Sequence, residues 1–240
     1  GSKDKKVVTG EVVEDLLGPA RYFRDEEMLD NRIGIATGLA WTSVGGEVLF
    51  IEAVKMKGKG NVVLTGQMGD VMQESAKAAM SYAKANHKAL KIDEKSFEEF
   101  DIHVHIPAGA VPKDGPSAGI TMATALISLL TDTPIRSDVA MTGEVTLTGR
   151  VLPIGGLREK ALAALRHGVA DVLIPFANIK DLSDIPEEFR KKLNFIPVKH
   201  LDEVLAVALD TGNGKKRSSA AGGSGAGREG KKPKVASPAA

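Results

Sequence analysis

A serine with small neighbours stands just before a long apolar segment of this 240-residue chain. Residues 112–119 read PKDGPSAG, and the Ser117 hydroxyl in this stretch is able to attack a carbonyl carbon. The following residues, up to Leu130, are mostly apolar and predict a buried helix. The first turn of a helix presents backbone N–H groups that suit an oxyanion. Ser117 is therefore a candidate nucleophile, with the backbone of Gly115, Pro116 and Ala118 as a candidate oxyanion site.

The same serine also fits two simpler patterns. Serine at the start of a helix is a common N-cap, and that alternative stays open for Ser117. Gly115, Ser117 and Gly119 match the G-x-S-x-G nucleophile elbow, which joins a strand directly to a helix. Here the nearest predicted strand ends near Ile106, and a loop over residues 107–115 follows it. Pro116 also fixes its own backbone angle, so an elbow of the α/β-hydrolase kind fits poorly.

A serine nucleophile needs a base, which histidine or lysine can supply. The histidine candidates are His103, His105, His167 and His200, and none has a context that pairs it with the serine. Lys160 falls in the first turn of a predicted helix, where the helix dipole and apolar neighbours disfavour an ammonium group. Lowering a lysine pKa from about 10.4 to 7 or 8 requires roughly 4 kcal/mol, which such surroundings can supply. A Ser-Lys enzyme and a Ser-His esterase both remain open on these residues alone.

The elements that must position these residues follow from periodicity. The sequence predicts a strand pair around Gly45-Gly46, a helix after Asp70 with that aspartate as its cap, and a strand with Ile102, Val104 and Ile106 turned inward. The amphipathic helix that carries Lys160 is predicted to end at Gly168. Strands and helices are interspersed, and the early hairpin argues against an all-parallel sheet. An α+β (mixed α/β) domain, with mixed sheets and packed helices, is predicted over residues 32–210.

Composition divides the chain into three parts. Residues 1–31 contain a cloning remnant, Gly1-Ser2, a predicted short strand and a helix around residues 12–17, and they suit a linker or the end of a preceding unit. Residues 1–210 carry 25 basic and 30 acidic side chains, whereas residues 211–240 carry seven basic side chains and one acidic one. That tail is rich in Gly, Ala and Ser and is predicted to be disordered. A nucleic-acid-binding module that acts through the basic tail is the alternative from a different functional class.

Several classes are excluded or disfavoured by what the sequence does not contain. There is no cysteine, so disulfides, thiolate metal sites and a cysteine nucleophile are excluded. No H-E-x-x-H or comparable ligand set accompanies His103 and His105, so no metal site is predicted. No P-loop is present, because the nearest match, at residues 225–232, has Lys232 where Ser or Thr is needed. Neither a signal peptide nor a membrane span is predicted.

Several long motifs together resemble the proteolytic domain of the ATP-dependent Lon proteases of the LonA type. They are GLAWTSVGGEVL at 38–49, DIHVHIPAGA at 101–110, PKDGPSAG at 112–119, DVAMTGEVTLTGRVLPIGGLREK at 138–160 and VLIPFAN at 172–178. They occur in the family's order and span nearly all of residues 32–210.

The resemblance implies roles for particular residues. In the family the serine of PKDGPSAG is the nucleophile and the lysine of the G-G-L-(K/R)-E-K motif is its base, which implies a Ser-Lys dyad of Ser117 and Lys160. Thr142 is then expected to orient the lysine. Asp114 corresponds to an aspartate associated with an inactive loop conformation. Trp41 and its strand are expected to line a groove in which substrate binds as an added strand.

The resemblance also implies the setting of the domain. We expect a serine endopeptidase that cleaves unfolded or misfolded proteins and peptides through an acyl-enzyme. An upstream ATPase module, with ATP and Mg²⁺, is expected to unfold substrates, and residues 3–30 resemble its last strand and helix. The fragment itself is expected to need no cofactor and to cleave peptides but not folded proteins. The family forms hexameric rings. The resemblance separately implies a cytoplasmic protein in a bacterium or a mitochondrial matrix protein in a eukaryote, with no membrane association.

Overall fold

The computed structural model describes residues 10–18, 31–42, 45–107 and 112–211. Helices are α1 (Gly10–Leu17), α2 (Asp70–Ala85), α3 (His87–Leu90), α4 (Gly119–Thr131), α5 (Leu157–Arg166), α6 (Glu187–Arg190) and α7 (Leu201–Ala208). Strands are β1 (Ile35–Thr42), β2 (Gly45–Lys57), β3 (Val62–Thr65), β4 (Phe100–His105), β5 (Val139–Met141), β6 (Glu144–Val145), β7 (Val151–Leu152), β8 (Asp171–Pro175) and β9 (Asn194–Val198). Short 3₁₀ turns cover residues 94–97, 116–118 and 176–184. None of the helices in these ranges has the length and apolar content of a bilayer span.

Seven strands form one mixed sheet in the order β3-β4-β2-β1-β5-β8-β9, and β6 and β7 form a separate pair. The hairpin of β1 and β2 is antiparallel, and β2 also pairs antiparallel with β4. The β1–β5, β5–β8, β8–β9 and β3–β4 pairs are parallel. The predicted mixed α/β fold with a non-parallel hairpin is therefore confirmed.

The hairpin differs from its prediction in one detail. Gly45 and Gly46 do not separate the two strands: they are the first residues of β2, and Gly45 pairs with Thr42. A β-carbon on Gly46 would collide with the carbonyl of Glu159 on α5. Gly46 is therefore needed because the backbones of β2 and α5 approach each other closely, rather than because of the turn.

Helices cover the sheet on both faces because successive strand residues point to opposite sides. On β5, Val139 and Met141 join a core formed with α2, α4 and α7, whereas Ala140 joins a second core with α5. Helix α4 is buried from Gly119 to Leu130, which agrees with the prediction of a helix buried on several sides. The sheet is thus the middle layer between two helical layers.

The ends of the chain are described only in part. Helix α1 matches the helix predicted around residues 12–17. The predicted strand before it, the polar stretch up to residue 30 and the tail beyond residue 211 lie outside the described residues. The boundaries at residues 31 and 210 stay predictions.

Candidate active site

The carboxyl end of β5 is the point where the two helical layers meet. Strand β5 ends at Met141, and Thr142 follows it in the chain. Lys160 comes to this point from α5 on one face of the sheet, and Ser117 comes from the turn before α4 on the other face. The sheet therefore brings together side chains that are 43 positions apart in the sequence.

Lys160 is a buried lysine without a carboxylate partner among the described residues. Its side chain is 2% exposed, and its Nζ donates a hydrogen bond to Thr142 Oγ1 over 3.0 Å. Burial lowers the pKa of Lys160 from 10.5 to about 8, since the charged form loses its hydration. Near neutral pH a usable fraction of the amine is therefore unprotonated, as a general base requires.

Thr142 joins the lysine to the serine segment. Its hydroxyl, fully buried, donates to the Ser117 carbonyl oxygen over 3.3 Å, and the Gly143 amide donates to the same oxygen over 2.8 Å. Because the Thr142 proton is used by Ser117, Thr142 accepts from Lys160. The lone pair of a neutral Lys160 amine is then left free to take a proton from elsewhere.

Ser117 does not cap α4, so the N-cap alternative is wrong. The residue lies inside the 3₁₀ turn of residues 116–118, and the N-cap of α4 is Ala118, which has no capping side chain. The Ser117 hydroxyl has no hydrogen-bond partner among the described residues, and it lines the same cavity as Lys160. A free hydroxyl and an amine with a lowered pKa therefore line one cavity, as a serine nucleophile with a lysine base requires.

Two of the candidate oxyanion residues, Gly115 and Pro116, supply no free backbone N–H group. Pro116 has no N–H, and the Gly115 N–H donates to its neighbour Asp114 Oδ1 over 2.8 Å. Ser117 and Ala118 supply the other N–H groups of the turn. A role for the Gly115 amide in holding an oxyanion would require the Asp114 carboxylate to move away.

Asp114 also replaces the cap that was expected for α2. Asp70, predicted as that cap, is instead the first residue of the helix, and the N-cap is Gly69, which has no side chain. Asp114 Oδ1 accepts from the Met72 amide over 3.0 Å, in the way that an N-cap side chain would. The serine loop is thereby tied to the start of α2, although 42 residues separate the two partners in the chain.

A cavity of about 420 Å³ lies over Ser117 and Lys160. Its lining comprises Ala40, Trp41, Thr42, Glu47, Leu49, Met72, Pro112, Lys113, Asp114, Pro116, Ser117, Ala118, Pro153, Ile154, Gly155 and Lys160. Trp41 is 60% exposed, packs against Gly156 at the start of α5 and contributes to the cavity wall, while its role in a substrate groove stays a prediction. The sequence analysis did not single out Leu49 and Met72, which also line the cavity. The signal available for them was their position on the buried faces of β2 and α2.

The histidines lie away from this cavity. His103 and His105 contact Thr65 on β3, and His200 contacts Thr148 and Asp202. His167, at the end of α5, packs against Phe50. No histidine is among the cavity residues, so the described residues offer Ser117 no imidazole base. They also contain no cluster of three or more side chains suited to a metal ion.

The cavity with its free serine hydroxyl and buried lysine fits a serine endopeptidase domain, and the comparisons with known proteins show that this chain is one. The family model of the Lon protease (S16) C-terminal proteolytic domain matches residues 7–211. The chain is 62% identical over 203 residues to Lon protease 2 of Bdellovibrio bacteriovorus, with 85% of this chain and 25% of that protein covered. It is 58% identical over 204 residues to a Lon protease of Geobacter metallireducens, with 85% and 25% covered. It is 52% identical over 206 residues to one of Dictyoglomus thermophilum, with 86% and 26% covered.

This chain belongs to the Lon protease C-terminal proteolytic domain family, as its motifs suggested. It spans about a quarter of the length of the curated relatives it matches.

Proposed function

We propose that this domain hydrolyses peptide bonds with Ser117 as nucleophile and Lys160 as general base. The observation that carries the proposal is the buried Lys160, whose pKa is lowered to about 8 and whose Nζ is held by Thr142 in the cavity that Ser117 lines. Burial of a lysine costs stability, and here it also supplies an amine with a lowered pKa in the cavity that the Ser117 hydroxyl lines.

The chemistry requires one group that first accepts a proton and then donates it. The neutral Lys160 amine takes the Ser117 hydroxyl proton while Oγ forms a bond to the peptide carbonyl carbon. The resulting ammonium gives this proton to the leaving nitrogen as the C–N bond breaks, which leaves an acyl ester on Ser117. Lys160 then takes a proton from water, the hydroxide oxygen attacks the ester, and the proton returns to Ser117 Oγ.

Thr142 and Asp114 are proposed to set the geometry of these steps. Thr142 holds the Lys160 nitrogen through an accepted hydrogen bond, so it directs the amine without consuming its lone pair. Asp114 holds the serine loop against α2 and occupies the Gly115 amide. We propose that release of this carboxylate frees the amide for the oxyanion, so Asp114 acts as a switch rather than as a proton carrier.

Substitution of Lys160 tests the dyad directly. Arg keeps a positive charge but does not give up its proton, so Lys160→Arg is expected to lose peptidase activity as fully as Ser117→Ala does. A short fluorogenic peptide gives the rates, and labelling with a peptide boronate followed by mass mapping gives the attachment site. Retained activity in Lys160→Arg, or attachment at a residue other than Ser117, would end the proposal.

Substrates and assembly are proposed from the relatives, each described as a Lon protease. We propose that the full-length protein degrades unfolded or misfolded proteins as a hexamer in a bacterial cytoplasm or a mitochondrial matrix, with ATP and Mg²⁺ used by a separate ATPase module. The domain alone is expected to cleave an unstructured peptide and to spare a folded protein. Sedimentation of the 240-residue chain tests whether it forms hexamers without that module.

The basic tail supports a second proposal, contact with nucleic acid. Seven basic side chains against one acidic side chain within residues 211–240 would attract phosphates in a salt-dependent way. Removal of residues 211–240 is then expected to abolish DNA binding and to leave peptide cleavage intact. DNA binding that survives this truncation would contradict a role for the tail.

A further inference from the structure

The 3₁₀ segment of residues 176–184 contains one buried polar side chain, that of Asn178, which is 1% exposed. Its Oδ1 accepts from the Ile154 amide over 3.0 Å, and its Nδ2 donates to the Ile154 carbonyl over 2.8 Å. Nδ2 also donates to Asp181 Oδ2 over 2.6 Å. A carboxylate accepts only, so Asp181 fixes which end of the Asn178 amide is the donor.

The partner of this amide forms part of the cavity wall. Pro153, Ile154 and Gly155, here called the wall segment, all line the cavity over Ser117. In the part of the chain that the structure describes, the hydrogen bonds of the wall segment are those with Asn178. One side chain therefore satisfies both backbone groups of Ile154, as a neighbouring strand would.

Asn178 is itself held by the sheet. It follows β8, which is buried along its whole length and pairs with β5 through Met141 and Leu173. Strand β5 leads to Thr142, so the paired strands β5 and β8 hold both the Thr142–Lys160 contact and Asn178 in place. The wall segment belongs to no strand or helix, and its Pro153 and Gly155 are exposed. It therefore has no sheet or helix hydrogen bonds of its own to hold it in place.

We infer that Asn178 is a positioning residue for peptide binding: its amide clamps Ile154 and so holds the wall segment where an extended substrate passes. This inference rests on the proposed function, because it assigns the cavity to a peptide. Lys160 is anchored separately by the burial of α5 and by Thr142. Loss of the clamp should therefore weaken peptide binding more than it slows the chemistry at Ser117.

The experiment uses the 240-residue chain and separates binding from reactivity. Peptide affinity is measured by fluorescence anisotropy with a fluorescein-labelled unstructured peptide, in a Ser117→Ala background that does not cleave it. Reactivity of Ser117 is measured as the rate of labelling by a small fluorophosphonate, which lacks the extended peptide backbone that the wall segment is inferred to hold. Circular dichroism melting verifies that each variant folds.

Asn178→Ala removes both bonds to Ile154 and should weaken peptide affinity about tenfold, while fluorophosphonate labelling stays within about twofold. Asp181→Ala is the matched control, because it removes the third bond of Asn178 and leaves the clamp intact; its affinity should equal that of the parent chain. Should Asn178→Ala fail to fold, Asn178→Ser takes its place, since its hydroxyl stays polar but is one bond too short to bridge both backbone groups of Ile154.

Unchanged peptide affinity in a folded Asn178 variant would overturn the inference. An equal loss of affinity in Asp181→Ala would overturn it as well, because the stability of the 3₁₀ segment would then explain the effect. Failure of the fluorophosphonate to label Ser117 in the unaltered chain would instead count against the proposed nucleophile. The two proposals therefore fail on different measurements.

Discussion

Lys160 is the residue at which stability and function oppose each other. It has the largest fully buried side chain in the domain core, and its Nζ has only a neutral hydroxyl as partner among the described residues. A buried ammonium without a nearby carboxylate is destabilised, which is why the pKa of Lys160 is lowered. The same lack of a counter-ion suits the proposed role of this amine as a base close to physiological pH.

Peptidase activity should follow the titration of this amine. With a pKa of about 8, Lys160 is mostly protonated at pH 6 and mostly neutral at pH 9. Because the neutral form is the base, kcat/KM for a short peptide should rise with pH, reach half of its maximum near pH 8 and then level off. A profile that reaches its plateau below pH 6 would indicate a carboxylate or another base.

Replacing Lys160 by methionine should stabilise the fold while abolishing activity. The pKa of the folded state is about 8 against 10.5 for an exposed lysine, so the buried ammonium costs about 3 kcal/mol below pH 8. This cost is relieved as pH rises from 8 to 10.5. Urea unfolding at pH 7 should therefore show Lys160→Met to be more stable, by up to that amount, and the difference should shrink at pH 10. A difference in stability that stayed the same from pH 7 to pH 10 would contradict the lowered pKa.

Thr142 should matter for rate rather than for folding alone. Thr142→Val removes the hydroxyl that accepts from Lys160 and donates to Ser117, and kcat should fall roughly 10- to 100-fold because the amine loses its direction. Thr142→Ser keeps the hydroxyl and should recover most of the rate. Thr124→Val is the control, since Thr124 is also buried but its hydroxyl bonds only to Ile120 within α4. Equal losses of rate in both valine variants would make the role of Thr142 purely structural.

At the scale of elements, the position of Lys160 depends on how closely α5 lies on the β1–β2 hairpin. Gly46 permits this approach, because a β-carbon there would overlap the Glu159 carbonyl next to Lys160. Arg166, in the last turn of α5, donates to the Gly46 carbonyl and fastens the other end of the same helix. Trp41, opposite Gly46 in the hairpin, packs on Gly156 at the start of α5.

Gly46→Ala should push α5 away from β2. We expect a loss of about 1–3 kcal/mol in the free energy of unfolding, together with reduced activity because Lys160 moves with its helix. Gly155→Ala is the control for stability: it lies near the same helix but has open space around it and an ordinary φ. Thermal unfolding of the two variants gives the comparison, and an equally small shift in both would contradict the close contact.

The elements themselves were readily predicted, because their apolar residues follow regular periods and their ends carry local signals. Gly168, for example, has a left-handed backbone after α5, and the Gly168 and Val169 amides close the helix on Leu165 and Ala164, as a C-terminal glycine predicts. Contacts between distant segments could not be predicted this way. Asp70 was a plausible local cap for α2, yet Asp114 supplies the cap from a different part of the chain.

The candidate site shows the same division between local pattern and distant contact. Desolvation of Lys160 by its apolar neighbours was expected, and the structure agrees. The pairing of Lys160 with Ser117 came from the resemblance to a family, because no local pattern relates residues on opposite faces of a sheet. The clamp of Asn178 on Ile154 had no sequence signal of its own.

In the whole molecule, the site lies where two cores meet. One core joins α2, α4 and α7 to one face of the sheet, and the other joins α5 to the opposite face. Ser117 depends on the first core and Lys160 on the second, while β5 contributes side chains to both. Neither core can be lost without separating the two residues.

This arrangement predicts that activity and structure are lost together in urea. Circular dichroism follows the helices, fluorescence follows Trp41, the single tryptophan, and fluorophosphonate labelling follows Ser117. Since both cores share the sheet, the three transitions should have one midpoint, as in two-state unfolding. If Trp41 fluorescence and labelling changed at lower urea than circular dichroism, the hairpin and α5 would open separately from the α4 core, and the two cores would be independent units rather than one.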